Sequence, residues 1–159
     1  MLNRILLVAP AIVLLAACAS QPAATPVDVA ETIARDPQLS TLNGLVMQSG
    51  LTATLKAQGP YTVFAPTNEA FKAVPAKTMD ELAQDPAKLK SVLSYHVLPA
   101  KITSADVKNA SVKTAQGANL AIAKSGEFVT VEDAMVTHAD VMATNGVVHT
   151  VDRVLMPPR

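Results

Sequence analysis

Apolar residues recur at spacings of three and four through the first half of this chain and at spacings of two through the second. Val29, Ala30, Ile33 and Ala34 form one such stripe, and Thr25-Pro26 before them offers an N-cap and a first helical position, which predicts a helix ending near Arg35. Pro37 interrupts the pattern. Leu39, Leu42, Leu45 and Val46 then resume it up to Ser49-Gly50, where the glycine supplies a C-terminal cap, and residues 51–56 give a short third helix stopped by Gly59-Pro60. Tyr61, Thr62, Val63 and Phe64, between two prolines, read as a strand, and Thr67 caps a helix running through Phe71 with Glu69 in its first turn. Thr78 to Glu81 matches a capping box, and Asp85-Pro86 caps a helix carrying Leu89, Val92 and Leu93.

Beyond Tyr95 the helical period is lost. Residues 111–114, 119–124, 128–131, 134–140 and 147–151 are short β-rich runs separated by Gly or Asn-Gly turns, with Asn145-Gly146 suited to the positive φ of a tight hairpin. Helices followed by strands place the chain in the α+β class, with helices packed against one part of a sheet or sandwich.

The first residues have a different character. Arg4 precedes an apolar run over residues 5–15, too short to span a bilayer but suited to the core of an export signal, and Leu15-Ala16-Ala17-Cys18 comes at once after it. This combination resembles a bacterial lipoprotein signal, which implies cleavage after residue 17 and acylation of Cys18, the single cysteine of the chain. Several acyl chains hold a protein on a membrane where one is marginal. The expected organisation is a signal peptide (1–17), a small, polar, Pro-bearing tether (18–26) and one domain (27–157). Under the same resemblance, Ala19 rather than Asp after the cysteine implies the outer over the inner membrane if the envelope is Gram-negative. With Cys18 acylated, no disulfide can staple the fold, so burial alone must stabilise it.

The chain carries 13 basic and 13 acidic residues in 159, and the basic ones are scattered rather than clustered. That gives no footprint for nucleic acid.

Three separated stretches carry a resemblance: Gly59 to Phe71 (GPYTVFAPTNEAF), the pair Tyr95-His96, and Asn145 to Pro157 (NGVVHTVDRVLMP). In order and spacing they resemble the signatures of the fasciclin-like family. The likeness implies a wedge-shaped β-sandwich with several helices along one side. It also implies an extracellular interaction or adhesion role with a protein or cell-surface partner, and no catalytic chemistry or cofactor; with the lipoprotein signal, that role is expected at the cell envelope. Animal members engage receptors near the Tyr-His pair, which makes Tyr95, His96, Leu98 and Pro99 the candidate interaction surface. The alternative for His96, at the end of the helix begun at Pro86, is a structural duty, hydrogen bonding the final carbonyls of that helix.

The residues themselves leave other chemistry open. His96, His138 and His149 lack the spacing of a helical metal pair, so no metal site is expected. A hydrolase would use His96 or His149 with Asp140 or Asp152, but no G-x-S-x-G elbow marks a nucleophile. A polysaccharide-binding lipoprotein would need stacking rings, and the chain has no Trp and five other aromatic residues. Three of these five lie in Gly59 to Phe71, where Tyr61, Phe64 and Phe71 are expected to be core, and His149 is expected to be structural.

Overall fold

The computed structural model describes residues 27–158, and the expected signal peptide, Cys18 and the tether lie outside them. Asp28 caps the first helix, α1 (Val29–Arg35), by accepting the Glu31 N–H at 2.8 Å, three residues after the Thr25 anticipated for that role. Asp36 does the same for a single 3-10 turn at Pro37–Leu39, which feeds α2 (Ser40–Ser49). As expected, Gly50 closes α2 in the left-handed region at φ 72°. After α3 (Thr52–Lys56) the chain enters β1 (Tyr61–Pro66), and Thr67 caps α4 (Asn68–Lys72) through the Ala70 N–H at 3.2 Å.

The next helix, α5 (Ala76–Gln84), starts before the capping box read from Thr78. The Pro75 carbonyl already accepts from the N–H groups of Thr78 and Met79, at 2.9 and 3.1 Å, so Thr78 sits inside the first turn. Asp85 caps α6 (Pro86–Tyr95) as its Asp-Pro pair predicts, accepting from Ala87 and Lys88.

The strands are β2 (Val97–Leu98), β3 (Ala110–Lys113), β4 (Asn119–Ser125), β5 (Phe128–Val131), β6 (Ala134–Ala143) and β7 (Gly146–Val151). They join β1 in one seven-stranded sheet of order β2-β1-β7-β6-β5-β4-β3, where the sandwich expectation called for two facing sheets. Among the described strands only β1 and β7 pair in parallel, registered from Tyr61 opposite Gly146 to Pro66 opposite Val151. The long strand β6 belongs to both halves. It pairs with β5 at its start and with β7 from Val136 onward, its register slips twice between Val136 and Val141, and Asp140 adopts φ 60°. Such bulges bend and twist a sheet, so the two halves face each other without separating. At the far end the Ala115 N–H donates to Val97 O at 2.7 Å, bringing the β3 side back to β2.

Two apolar clusters result. The first lies between the helices and β1–β7 and includes Ile33, Leu42, Leu55, Val63, Phe71, Leu89 and Val148. The second lies inside the bent sheet and includes Phe64, Leu98, Leu120, Ile122, Val131 and Val151. Every residue of β7 is buried because both of its faces are covered.

Candidate functional site

Tyr95 and His96 end α6 where the chain turns into β2, and both are 2% exposed. Tyr95 points into the second cluster, with its hydroxyl 3.2 Å from Asn119 O, to which it donates, and 3.4 Å from a Glu132 carboxylate oxygen. Burial and then the Glu132 charge push the phenol above its ordinary pKa. The imidazole of His96 is wedged between main-chain segments: Nδ1–H donates to Val92 O at 2.8 Å and Nε2 accepts the Leu155 N–H at 2.9 Å. One donor and one acceptor fix a single neutral tautomer, and desolvation lowers the pKa to about 4. Leu98 is fully buried and Pro99 is exposed. Of the four residues expected to form an interaction surface, three therefore face inward, and Pro99 alone presents its side chain to solvent.

Beyond Pro99 the chain forms a loop held from below by side chains of four strands. The Thr62 hydroxyl in β1 donates to Ala100 O at 2.5 Å and accepts the Ile102 N–H at 2.8 Å. His149 in β7 donates from Nε2 to Ile102 O at 2.7 Å and accepts the Asp140 N–H at Nδ1, at 3.1 Å. In β6 the Asp140 carboxylate accepts from the Ser104 N–H at 2.7 Å and from the Ser104 hydroxyl. Lys124 in β4 donates to Ser104 O at 2.8 Å. Burial opposes the Asp140 charge, but the Ser104 hydrogen bonds outweigh it and hold the carboxyl below its ordinary pKa. Burial likewise lowers the pKa of His149, whose ring stacks on Phe64 with centroids 5.5 Å apart.

Ser104, Asp140 and His149 thus come together without the wiring of a nucleophilic triad. The serine donates to the aspartate, and the histidine has committed both nitrogens to main-chain groups, as has His96. Neither ring has a nitrogen open to take a proton from a nucleophile. Among the described residues, no group of three or more His, Cys, Asp or Glu side chains is arranged to hold a metal ion. The clamp could not be read from the sequence because its members lie on four strands and share no spacing. Only the alternation that puts His149 on one face with Val147 and Val151 hinted at a role inside the fold.

The stretch Gly59 to Phe71 proves to be a joint. Tyr61 and Val63 pack with the helices, Phe64 packs inside the sheet, and Phe71 closes the corner. Its polar residues bind distant segments: Asn68 accepts the Thr41 N–H at 3.0 Å and donates to Pro37 O at 3.0 Å. Opposite, Asn145 accepts the Val29 N–H at 2.8 Å and donates to Leu55 O and Ala57 O at 2.7 and 2.8 Å. A Cβ on Gly146 would stand 2.0 Å from Tyr61 O, so this glycine serves close approach to β1 rather than the positive φ expected of it.

A model of the Fasciclin domain matches residues 37–157. Protein sll1483 of Synechocystis sp. is 42% identical over 132 residues, covering 82% of this chain and 73% of that protein. The transforming growth factor-beta-induced protein ig-h3 of Sus scrofa is 41% identical over 131 residues, covering 82% of this chain and 19% of its own length. The cell surface glycolipoprotein MPB83 of Mycobacterium bovis is 36% identical over 135 residues, covering 82% of this chain and 60% of its own length. Among solved structures, a FAS1 domain pair from the insect cell adhesion molecule fasciclin I aligns with a TM-score of 0.65 at 19% identity, covering 82% of this chain and 51% of that one.

Proposed function

The chain belongs to the fasciclin domain family, and from that premise we propose that it is a lipid-anchored interaction module of the cell envelope, with no catalytic activity assigned. Residues 99–109 display the partner surface. The observation that carries this reading is the four-strand clamp: Pro99, Lys101, Ala105, Asp106, Lys108 and Asn109 are exposed on a segment whose backbone is fixed from beneath. A loop ordered before binding loses little conformational freedom on contact, which favours affinity. In this reading Tyr95, His96 and Leu98 act on the surface from inside, by holding the strand from which the loop departs.

The apolar run over residues 5–15 and the Leu15-Ala16-Ala17-Cys18 sequence support the anchor, and likeness to a mycobacterial cell surface glycolipoprotein is consistent with it. Ala19 favours the outer membrane. Cross-linking in intact cells, followed by capture of the tagged chain, tests both parts. A Pro99→Ser/Lys101→Glu variant should keep its melting temperature and lose its partner, and Cys18→Ser should move the protein from the membrane to the soluble fraction. Undiminished capture by the loop variant would place the surface elsewhere, and membrane retention of Cys18→Ser would remove the anchor.

A further inference from the structure

On the side of the molecule formed by the helices, an open groove of about 1060 Å³ runs between α4–α6 and the C-terminal segment 153–158. Its walls are small and aliphatic, with Ala73, Val74, Leu82 and Val92 on the helical side and Val154 and Met156 opposite. Three charged side chains, Glu81, Lys88 and Arg153, also line it. Lys88 lies 3.9 Å from Glu81, which offsets it, whereas Arg153 has no carboxylate within 4.0 Å among the described residues. Glu132 and Asp133 share with Arg153 the lining of a smaller neighbouring cavity of about 300 Å³, without pairing with it.

We infer that this groove binds a monomeric long-chain carboxylate, the aliphatic chain lying along Ala73, Leu82, Val92 and Met156 and the headgroup meeting Arg153. The volume is on the scale of a small-molecule site, and a mostly apolar lining with a few polar groups that orient the ligand is the usual composition of such sites. With Lys88 offset by Glu81, Arg153 is left to orient it. Unbranched Met156, 43% exposed, can adapt to a flexible chain. Arginine matches a carboxylate in a two-pronged geometry that no other cationic side chain reproduces.

Titration of the full-length protein with laurate, and separately with dodecyltrimethylammonium, both below their micellar concentrations, tests the inference by calorimetry. Laurate should bind at one site, and the cationic amphiphile at least about tenfold more weakly. Arg153→Gln should weaken laurate by about tenfold, equivalent to about 1.4 kcal/mol. Removing two methylenes from the chain should cost roughly tenfold more. Ala73 is exposed, so Ala73→Trp should fill the groove and abolish binding without altering the melt. Equal binding of both amphiphiles, binding that survives Ala73→Trp, or no laurate uptake would each overturn the inference. So would a concentration-dependent dimer that Ala73→Trp abolishes, which would show a second copy in the groove. Partner capture through residues 99–109 is unaffected by any of these outcomes.

Discussion

His96 is a residue whose stabilising effect depends on remaining uncharged. In the unfolded chain its imidazole titrates near the ordinary value of about 6.5, and in the fold it titrates at about 4. Above pH 6.5 it is neutral in both states and stability is complete. Between pH 6.5 and 4 the unfolded chain takes up a proton that the folded chain refuses, and stability falls, by about 3 kcal/mol in all. Below pH 4 both states are protonated and the loss levels off. His149 acts in the same direction, since burial lowers its pKa too. Urea unfolding at pH 7 and pH 4.5 should show most of this difference, and a His96→Gln variant, which retains a donor and an acceptor but does not titrate, should show a shallower decline. An equal decline in that variant would place the acid sensitivity elsewhere. Phe64, 1% exposed and stacked on His149, sets the packing against which that ring is held. Phe64→Ala should destabilise the fold by about 3–5 kcal/mol, and an unchanged melting temperature would contradict its placement in the core.

Between elements, the decisive contact is the parallel seam of β1 and β7. Tyr61 N–H donates to Asn145 O at 3.0 Å, Gly146 lies directly against Tyr61, and the Asn145 side chain reaches both α1 and the end of α3. Gly146→Ala should therefore cost about 3 kcal/mol or more, because the clashing atom is backbone and cannot rotate away. Asn145→Ala should cost a similar amount by leaving one N–H and two carbonyls short of a partner. Denaturant midpoints would measure both, and a Gly146→Ala protein of normal stability would mean that the strands separate freely. The residues of this seam were legible in the sequence, as was the burial of Phe64 and Phe71; Tyr61, expected in the core with them, is only partly buried against it. The reason for Gly146 was not, since φ preference is local and proximity to Tyr61 is not. The same limit applies to the site. Local capping chemistry predicts where α6 begins, but whether Tyr95 and His96 face in or out depends on what packs above them. The clamp of Thr62, Lys124, Asp140 and His149 exists only after four strands have paired. The two-residue strand β2 is too short to leave any period.

At the scale of the whole fold, the described residues form two apolar clusters and one sheet, and this determines how the fold unfolds. Strands β1 and β7 contribute to both clusters from opposite faces: Val63 and Val148 to the one beneath the helices, Phe64 and Val151 to the one inside the bend. Neither cluster can lose its share of those strands while the other stays intact, and the Ala115 link to Val97 ties the remaining edge to the same unit. A chain divided into two independently stable layers would melt in two steps. Shared central strands demand one. Amide exchange measured at Leu42 for the helical cluster and at Ile122 for the interior of the sheet should give the same opening free energy within about 0.5 kcal/mol. Leu42→Ala and Phe64→Ala, one in each cluster, should each lower both values together. If Leu42→Ala lowered protection at Leu42 but left Ile122 untouched, the two clusters would be separate folding units, and β1 and β7 would be a hinge between them rather than their common wall.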